Sequence, residues 1–262
     1  MKLRIQGVGK RFADRDTRRS LTALADVDLD VRAGELLTLL GPSGCGKSTL
    51  LDLIAGLAAP TTGRILLDGI PLEGPGRDRE VVLRQYALFP WRTALSNIEF
   101  ALEGRGATGR ERTHLAREYL DLVGLGGLGD RYPHELSHGM PQRVAIARSL
   151  AADPALLLLD EPFAALDAGT RESLQEELVR IWRQTGTTIL FATRSLDEAV
   201  HLGRRVAVMT SRPGRIRGVV EVDPDPREGD PGGGSRFDEC RHEVWRLLRS
   251  DIGHDQKAPV AS

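Results

Sequence analysis

Leu36-Leu37-Thr38-Leu39-Leu40, followed directly by Gly41-Pro42-Ser43-Gly44-Cys45-Gly46-Lys47-Ser48-Thr49, decides the reading of this chain. The first stretch is apolar on both faces and runs straight into glycines, as a buried parallel strand does. The second has a glycine, four residues and then Gly-Lys-Ser, and residues 48–55 continue with helical character. Strand, glycine-rich loop and helix in that order make a phosphate cradle, the P-loop: Gly41, Gly44 and Gly46 let backbone N–H groups turn inward around phosphate oxygens. Lys47 is placed to reach the β and γ phosphates and Ser48 to ligate Mg²⁺, with Pro42, Ser43, Cys45 and Thr49 completing the loop. The expected ligand is a nucleoside triphosphate.

Outward from this loop, Val27, Leu29 and Val31 alternate with Asp26, Asp28 and Asp30, the period-2 pattern of a half-buried strand over residues 23–31. Leu3-Arg4-Ile5 reads similarly, and residues 63–69 give a further short strand with a turn, extending an antiparallel portion. Between about residues 90 and 151 the character becomes helical: Leu115, Tyr119, Leu122 and Val123 fall at helical spacing before a Gly124 stop, and another helix begins after Ser137. Beyond Pro154 strands and helices alternate again, with strands at 156–159, 188–193 and 205–210. A helix at 170–184 carries Leu174, Leu178, Ile181 and Trp182 on one face. The pattern predicts an α/β protein: a RecA-like P-loop NTPase core with an antiparallel β subdomain and an inserted α-helical subdomain at about 90–151. Residues 223–235, rich in Pro, Asp and Gly, read as a flexible linker. A C-terminal amphipathic helix with Val244, Leu247 and Leu248 follows from 236, then a frayed tail to 262.

The 262 residues carry 36 Lys and Arg against 37 Asp and Glu, a net charge of −1, which argues against nucleic-acid binding driven by bulk charge. Arg15, Arg18 and Arg19 read as a solvated loop, and no nucleic-acid partner is expected. Only 3 Trp, 3 Tyr and 6 Phe leave the core to Leu, Val, Ile and Ala, which favours α/β packing. Apolar runs such as 155–159 are far shorter than the roughly 18–20 residues that cross a bilayer. The start lacks an apolar segment of signal-peptide length, and the two cysteines, Cys45 and Cys240, define no disulfide framework. The expected location is the cytoplasm.

Leu156-Leu157-Leu158-Leu159-Asp160-Glu161 ends a buried strand in two carboxylates, at the strand edge where α/β folds bind ligands. Beside a P-loop, Asp160 is the metal-side residue and Glu161 the candidate base for the attacking water.

The stretch Leu136-Ser137-His138-Gly139-Met140-Pro141-Gln142-Arg143-Val144-Ala145-Ile146-Ala147-Arg148 resembles the signature of ATP-binding cassette (ABC) ATPases. Asp160-Glu161-Pro162-Phe163-Ala164-Ala165-Leu166-Asp167 ends on that family's D-loop aspartate, and the resemblance covers about residues 1–222 as one ATP-binding domain. Pro90-Trp91-Arg92-Thr93-Ala94 and Ser211-Arg212-Pro213-Gly214-Arg215-Ile216 are similar to the importer subgroup serving nitrate, aliphatic sulfonates and taurine. The resemblance implies an ATPase subunit that pairs head to tail with a second copy, so that two ATP molecules lie between each P-loop and the partner's Ser137, His138 and Gly139. It implies separate transmembrane permease subunits, indirectly a solute-binding protein, and a place on the cytoplasmic face of the membrane. Phe12 falls where the family stacks an aromatic on adenine, and equally reads as a ring packed beside the first strand. The segment at Trp91 corresponds to the groove for the permease's coupling helix, with a plain loop and a buried Trp91 as the other reading.

The site departs from the family at three positions. Arg84 stands at the Q-loop glutamine, with Gln85 one place later; His138 replaces a signature glycine; Arg194 replaces the switch histidine. Two outcomes follow: a degenerate site that binds ATP in a dimerising or regulatory subunit with little hydrolysis, or a phosphate clamp of Arg84, His138 and Arg194 around Lys47, Asp160 and Glu161.

Overall fold

The structure, a computed structural model, describes residues 1–13, 20–84, 86–222 and 233–252. Arg15, Arg18, Arg19, the candidate Gln85, most of the expected linker (223–232) and the tail after 252 lie outside the described residues. The chain forms two units, Met1–Pro75 with Leu190–Ser262, and Gly76–Ile189.

The first unit opens with β1 (Leu3–Ala13), β2 (Ser20–Val31), β3 (Leu36–Leu40), α1 (Lys47–Ala55), β4 (Thr62–Leu67) and β5 (Ile70–Pro71). In the second unit follow β6 (Arg79–Val82), α2 (Ala94–Gly104), α3 (Gly109–Leu122), α4 (Met140–Ala151), β7 (Leu156–Asp160) and α5 (Ala168–Thr185). The chain re-enters the first unit along β8 (Ile189–Thr193) and closes with α6 (Leu196–Leu202), β9 (Arg205–Met209), β10 (Ile216–Glu221) and α7 (Gly233–Ile252).

In the first unit, the antiparallel sheet runs β2-β1-β4-β5. Its register sets Leu3 against Val31 and Leu67, and Ile5 against Leu29 and Ile65. All six side chains are buried, while Asp28 and Asp30 take the other face, so the alternation seen in the sequence is the pleat of this sheet. Beside it β10, β9, β3 and β8 run in that order, with β3 parallel to β9. Every residue of β3 is buried, as its four leucines require, and the Thr38 hydroxyl between them donates to Ala199 O at 3.0 Å.

Val206, Val208 and Val220 from β9 and β10 join Ala199, Val200 and Val244 in one core cluster, with Phe237, Leu247 and Leu248 packed against it. The C-terminal helix therefore docks on its own chain, aided by a 2.8 Å Arg241–Asp197 ion pair. It starts at Gly233, inside the stretch read from sequence as linker. Packing of the downstream apolar face stabilises helix through glycines that disfavour it locally.

The second unit packs α2, α3 and α4 against one another through Ile98, Leu102, Leu120 and Val144. It also carries β6 parallel to β7, from Arg79 opposite Leu156 to Val82 opposite Leu159. Neither β6 nor β10 is evident from sequence.

Candidate nucleotide site

The first unit holds the phosphate loop. Gly46 precedes α1 at φ 103°, where an added Cβ would come within 2.7 Å of Leu24 Cδ2, so only glycine fits. No side chain caps α1, which leaves its first-turn N–H groups as donors for an anion. Lys47 is 5% exposed, and its Nζ donates to Gly41 O at 2.7 Å and Pro42 O at 3.2 Å. The ammonium thus folds across the loop's own carbonyls, which phosphate oxygens can replace as acceptors. Ser43, Gly44 and Ser48 are exposed, Pro42 and Thr49 half-buried, and Cys45 buried. Gly41 N donates to Thr193 O at 3.3 Å, which ties the loop to the end of β8 immediately before Arg194. Arg194 itself is exposed.

Phe12, near the end of β1, is 45% exposed with Lys10 Nζ 5.3 Å from its ring centroid. Its ring is presented to solvent rather than packed away. The turn at 211–215 has a role that the sequence did not suggest: Gly214 lies against the loop backbone, so that an added Cβ would sit 2.1 Å from Cys45 O.

The second unit holds the carboxylates. Strand β7 is buried from Leu156 to Leu159 and ends at Asp160, whose buried Oδ1 has no hydrogen-bond partner among the described residues. A buried carboxylate acceptor without a donor has the chemistry of a cation ligand. Glu161 adopts φ 44°, a left-handed conformation that is uncommon outside glycine, and its side chain is 8% exposed. Arg84 Nη2 lies 2.9 Å from Glu161 Oε2, so this departure from the family pattern is bonded to the candidate base.

In the signature stretch helix α4 begins at Met140, after Ser137 as expected, with Gly139 as N-cap. Gly139, at φ 87°, packs where an added Cβ would be 2.6 Å from Thr170 Cγ2. Pro141 consequently lies in the first turn, where its missing N–H costs nothing. Ser137 and His138 are exposed just before it. Asp167 caps α5 through Thr170 N at 3.0 Å. The Thr170 N–H and hydroxyl hold the Asp167 carboxyl below its ordinary value, with a smaller contribution from the charge of His138.

Sequence reasoning missed Asn97, which organises the turn at residues 89–93. It is fully buried, its Nδ2 donates to the carbonyls of Phe89, Arg92 and Thr93, and its Oδ1 accepts from Phe89 N. That turn displays Trp91 at 72% exposure, contrary to a buried loop residue. Phe89 contacts Trp91 and Phe100 at ring-centroid distances of 5.6 and 4.8 Å. Phe89 and Phe100 line a cavity of about 590 Å³ with Arg77, Glu80, Arg105 and Arg148. Burial raises the Glu80 carboxyl and lowers the Arg148 guanidinium, each partly offset by the other's charge.

A nucleotide loop on a strand–helix turn, an orphan carboxylate closing a buried strand and a signature turn ahead of a helix define a P-loop ATPase of the cassette type. Residues 24–164 match the family described as ABC transporter. The chain is 48% identical over 253 residues to an uncharacterized ABC transporter ATP-binding protein of Methanocaldococcus jannaschii, covering 96% of this chain and 93% of that protein. It is 46% identical over 231 residues to a nitrate import ATP-binding protein of a Synechocystis species, covering 88% and 86%. A dimeric ATP-binding cassette solved in a post-hydrolysis state with ADP and Pi superposes with a TM-score of 0.74 at 32% identity, over 85% of this chain and all of that one. This chain belongs to the ABC transporter family and is an ATP-binding subunit of it.

Proposed function

We propose that the chain is the ATP-hydrolysing subunit of an importer for a small solute of the nitrate type, driving separate permease subunits from the cytoplasmic face of the membrane. No helix among the described residues is long and apolar enough to cross a membrane. The similarity to a nitrate import ATP-binding protein supports the solute class, and sulfonates or taurine remain the neighbouring alternatives. The observation that carries the reading is the orphaned, buried Oδ1 of Asp160 directly before Glu161: a metal-side acceptor followed by a base.

In this reading the loop amides and Lys47 take the triphosphate, Phe12 stacks on adenine, and Ser48 and Asp160 hold Mg²⁺, which neutralises phosphate charge when bound. Water bonds to the γ-phosphorus as the bond to ADP breaks, and Glu161 accepts the water's proton. Two copies pair head to tail, with Ser137, His138 and Gly139 of each facing the other's ATP and Asp167 lining the same seam. The cavity beside Phe89 and the exposed Trp91 receive the permease, for which their aromatic surface and mixed charges suit a helical segment. A solute-binding protein delivers cargo to that permease. The departures at Arg84, His138 and Arg194 make turnover slow, since loss of one transition-state interaction is worth on the order of 10²–10³ in rate.

The test is steady-state phosphate release with Mg-ATP beside ATP binding by calorimetry, with Glu161→Gln as the control. Turnover that vanishes in the control supports the reading. Tight binding with no turnover above the control refutes it and leaves an ATP-dependent dimerising subunit.

A further inference from the structure

Resting on the hydrolytic reading above, we propose that Arg84 is a brake on Glu161: its guanidinium holds Oε2 of the base, and each turnover requires the arginine to leave that oxygen. The contact is direct, Nη2 to Oε2 at 2.9 Å, and its two partners differ sharply in environment. Glu161 brings a side chain that is 8% exposed, on a backbone fixed at φ 44°. It has little freedom to seek another orientation. Arg84 brings a side chain that is 51% exposed, so the cation can be withdrawn into water without crossing a packed layer. The movable member of the pair is the arginine.

The chemistry of the exchange sets the direction of the effect. A base must offer a lone pair to the water proton in the transition state, and a charge-assisted hydrogen bond to that oxygen competes for it. A glutamine, the residue that the family carries here, is neutral and presents either an acceptor or a donor. A guanidinium is only a donor, is always charged, and forms a strong pair with a carboxylate that water barely reaches. The neighbouring Asp160 Oδ1 has no partner among the described residues, although it too is a buried carboxylate oxygen. Arg84 therefore neutralises the base and leaves the metal-side carboxylate open, which predicts unimpaired nucleotide binding with hydrolysis held back.

The experiment uses the full chain as wild type, Arg84→Gln, Arg84→Lys, Glu161→Gln and the double variant Arg84→Gln/Glu161→Gln. Three quantities are read: kcat at saturating Mg-ATP, ATP Kd by calorimetry, and Tm without nucleotide. Arg84→Gln should raise kcat about tenfold while ATP Kd stays within about twofold; Arg84→Lys, which keeps the charge but not the fork, should fall between. Without nucleotide, the Tm shifts of Arg84→Gln and Glu161→Gln should not add in the double variant, because both remove one contact.

A merely structural Arg84 would lower Tm without raising kcat, and that result overturns the brake. A kcat that falls makes Arg84 an activating residue, and an ATP Kd weakened more than about tenfold makes it a phosphate ligand; either overturns the proposal. Additive Tm shifts would dissolve the pair itself. If wild type turns over and Arg84→Gln is no faster, only the brake fails. If neither turns over although both bind ATP, the hydrolytic reading fails and takes the brake with it.

Discussion

Replacing Gly214 by alanine should damage ATP binding from a residue outside the phosphate loop. The new Cβ would lie 2.1 Å from Cys45 O, 2.8 Å from Met209 Cε and 3.1 Å from Leu24 Cδ2. Contact with the carbonyl oxygen falls short of van der Waals distance by about 1 Å. Gly214 cannot easily withdraw, because its N–H donates to Ala23 O at 2.9 Å and its carbonyl accepts from Ala25 N at 3.0 Å. Its φ lies outside the left-handed range, so alanine meets a steric conflict and no intrinsic backbone strain. The part that must yield is the phosphate loop at Cys45, in the middle of its row of amides. A shift of about 1 Å in such a cradle is worth up to about 100-fold, so ATP Kd should rise about 10- to 100-fold, roughly 1.4–2.8 kcal/mol. Overpacking should also lower folding stability by about 1–3 kcal/mol.

The assay is ATP calorimetry together with urea denaturation, with Gly186→Ala as comparison. Gly186 ends α5 at φ 63° and has nothing within 4 Å of an added Cβ. Alanine there should cost about 1 kcal/mol of stability and leave Kd unchanged. Wild-type ATP affinity in Gly214→Ala, or an equal loss in Gly186→Ala, would refute the claim that this turn positions the loop.

Two further outcomes are expected. Asn97→Ala removes one side-chain hydrogen-bond partner from each of three part-buried carbonyls and one N–H around residues 89–93, while the carbonyls of Phe89 and Thr93 keep backbone donors. It should lower unfolding free energy by about 2–4 kcal/mol in urea titration and raise the hydrogen-exchange rate of the Phe89 amide, whereas an unaltered exchange rate would show that the turn stands without it. Asp167 has its folded-state value held below the ordinary aspartate value of 3.8, so the contribution of its ionised form is present above that pH and lost as pH falls through the lowered value. Asp167→Asn should flatten the acid limb of stability in that window, and an unchanged limb measured by thermal denaturation across acidic buffers would contradict the cap's role.

The parts of the fold that were legible in the sequence are those set by neighbours along the chain. The four leucines of β3, the glycines after them and the start of α1 are local signals, and their observed bounds agree with the reading nearly residue for residue. Strand β6 begins Arg79-Glu80 and shows no period-2 pattern; it is a strand because it pairs with β7, a distant segment. Helix α4 begins after Ser137 as the sequence suggests, but that Gly139 caps it at φ 87° against Thr170 on α5 is set by a contact the linear sequence does not show. Asn97 and Gly214 carry no mark in a linear reading. Each matters through partners that only the folded chain brings near, four hydrogen-bonding groups for one and a backbone carbonyl for the other.

The three departures at the site are not equivalent once placed. His138 is absent from the positive-φ residues, while Gly139 beside it sits at φ 87° against α5. Of the two signature positions, this chain keeps glycine where conformation demands it and varies the one that tolerates a side chain. Arg194 directly follows Thr193, whose carbonyl accepts the N–H of Gly41, so the backbone fixes this cation's position in the chain at the edge of the phosphate loop. Arg84 is placed otherwise: its guanidinium meets Glu161 at 2.9 Å, and in the proposed mechanism that contact restrains the base. Reversing Arg84 alone should therefore release turnover, because it is the departure that touches the base.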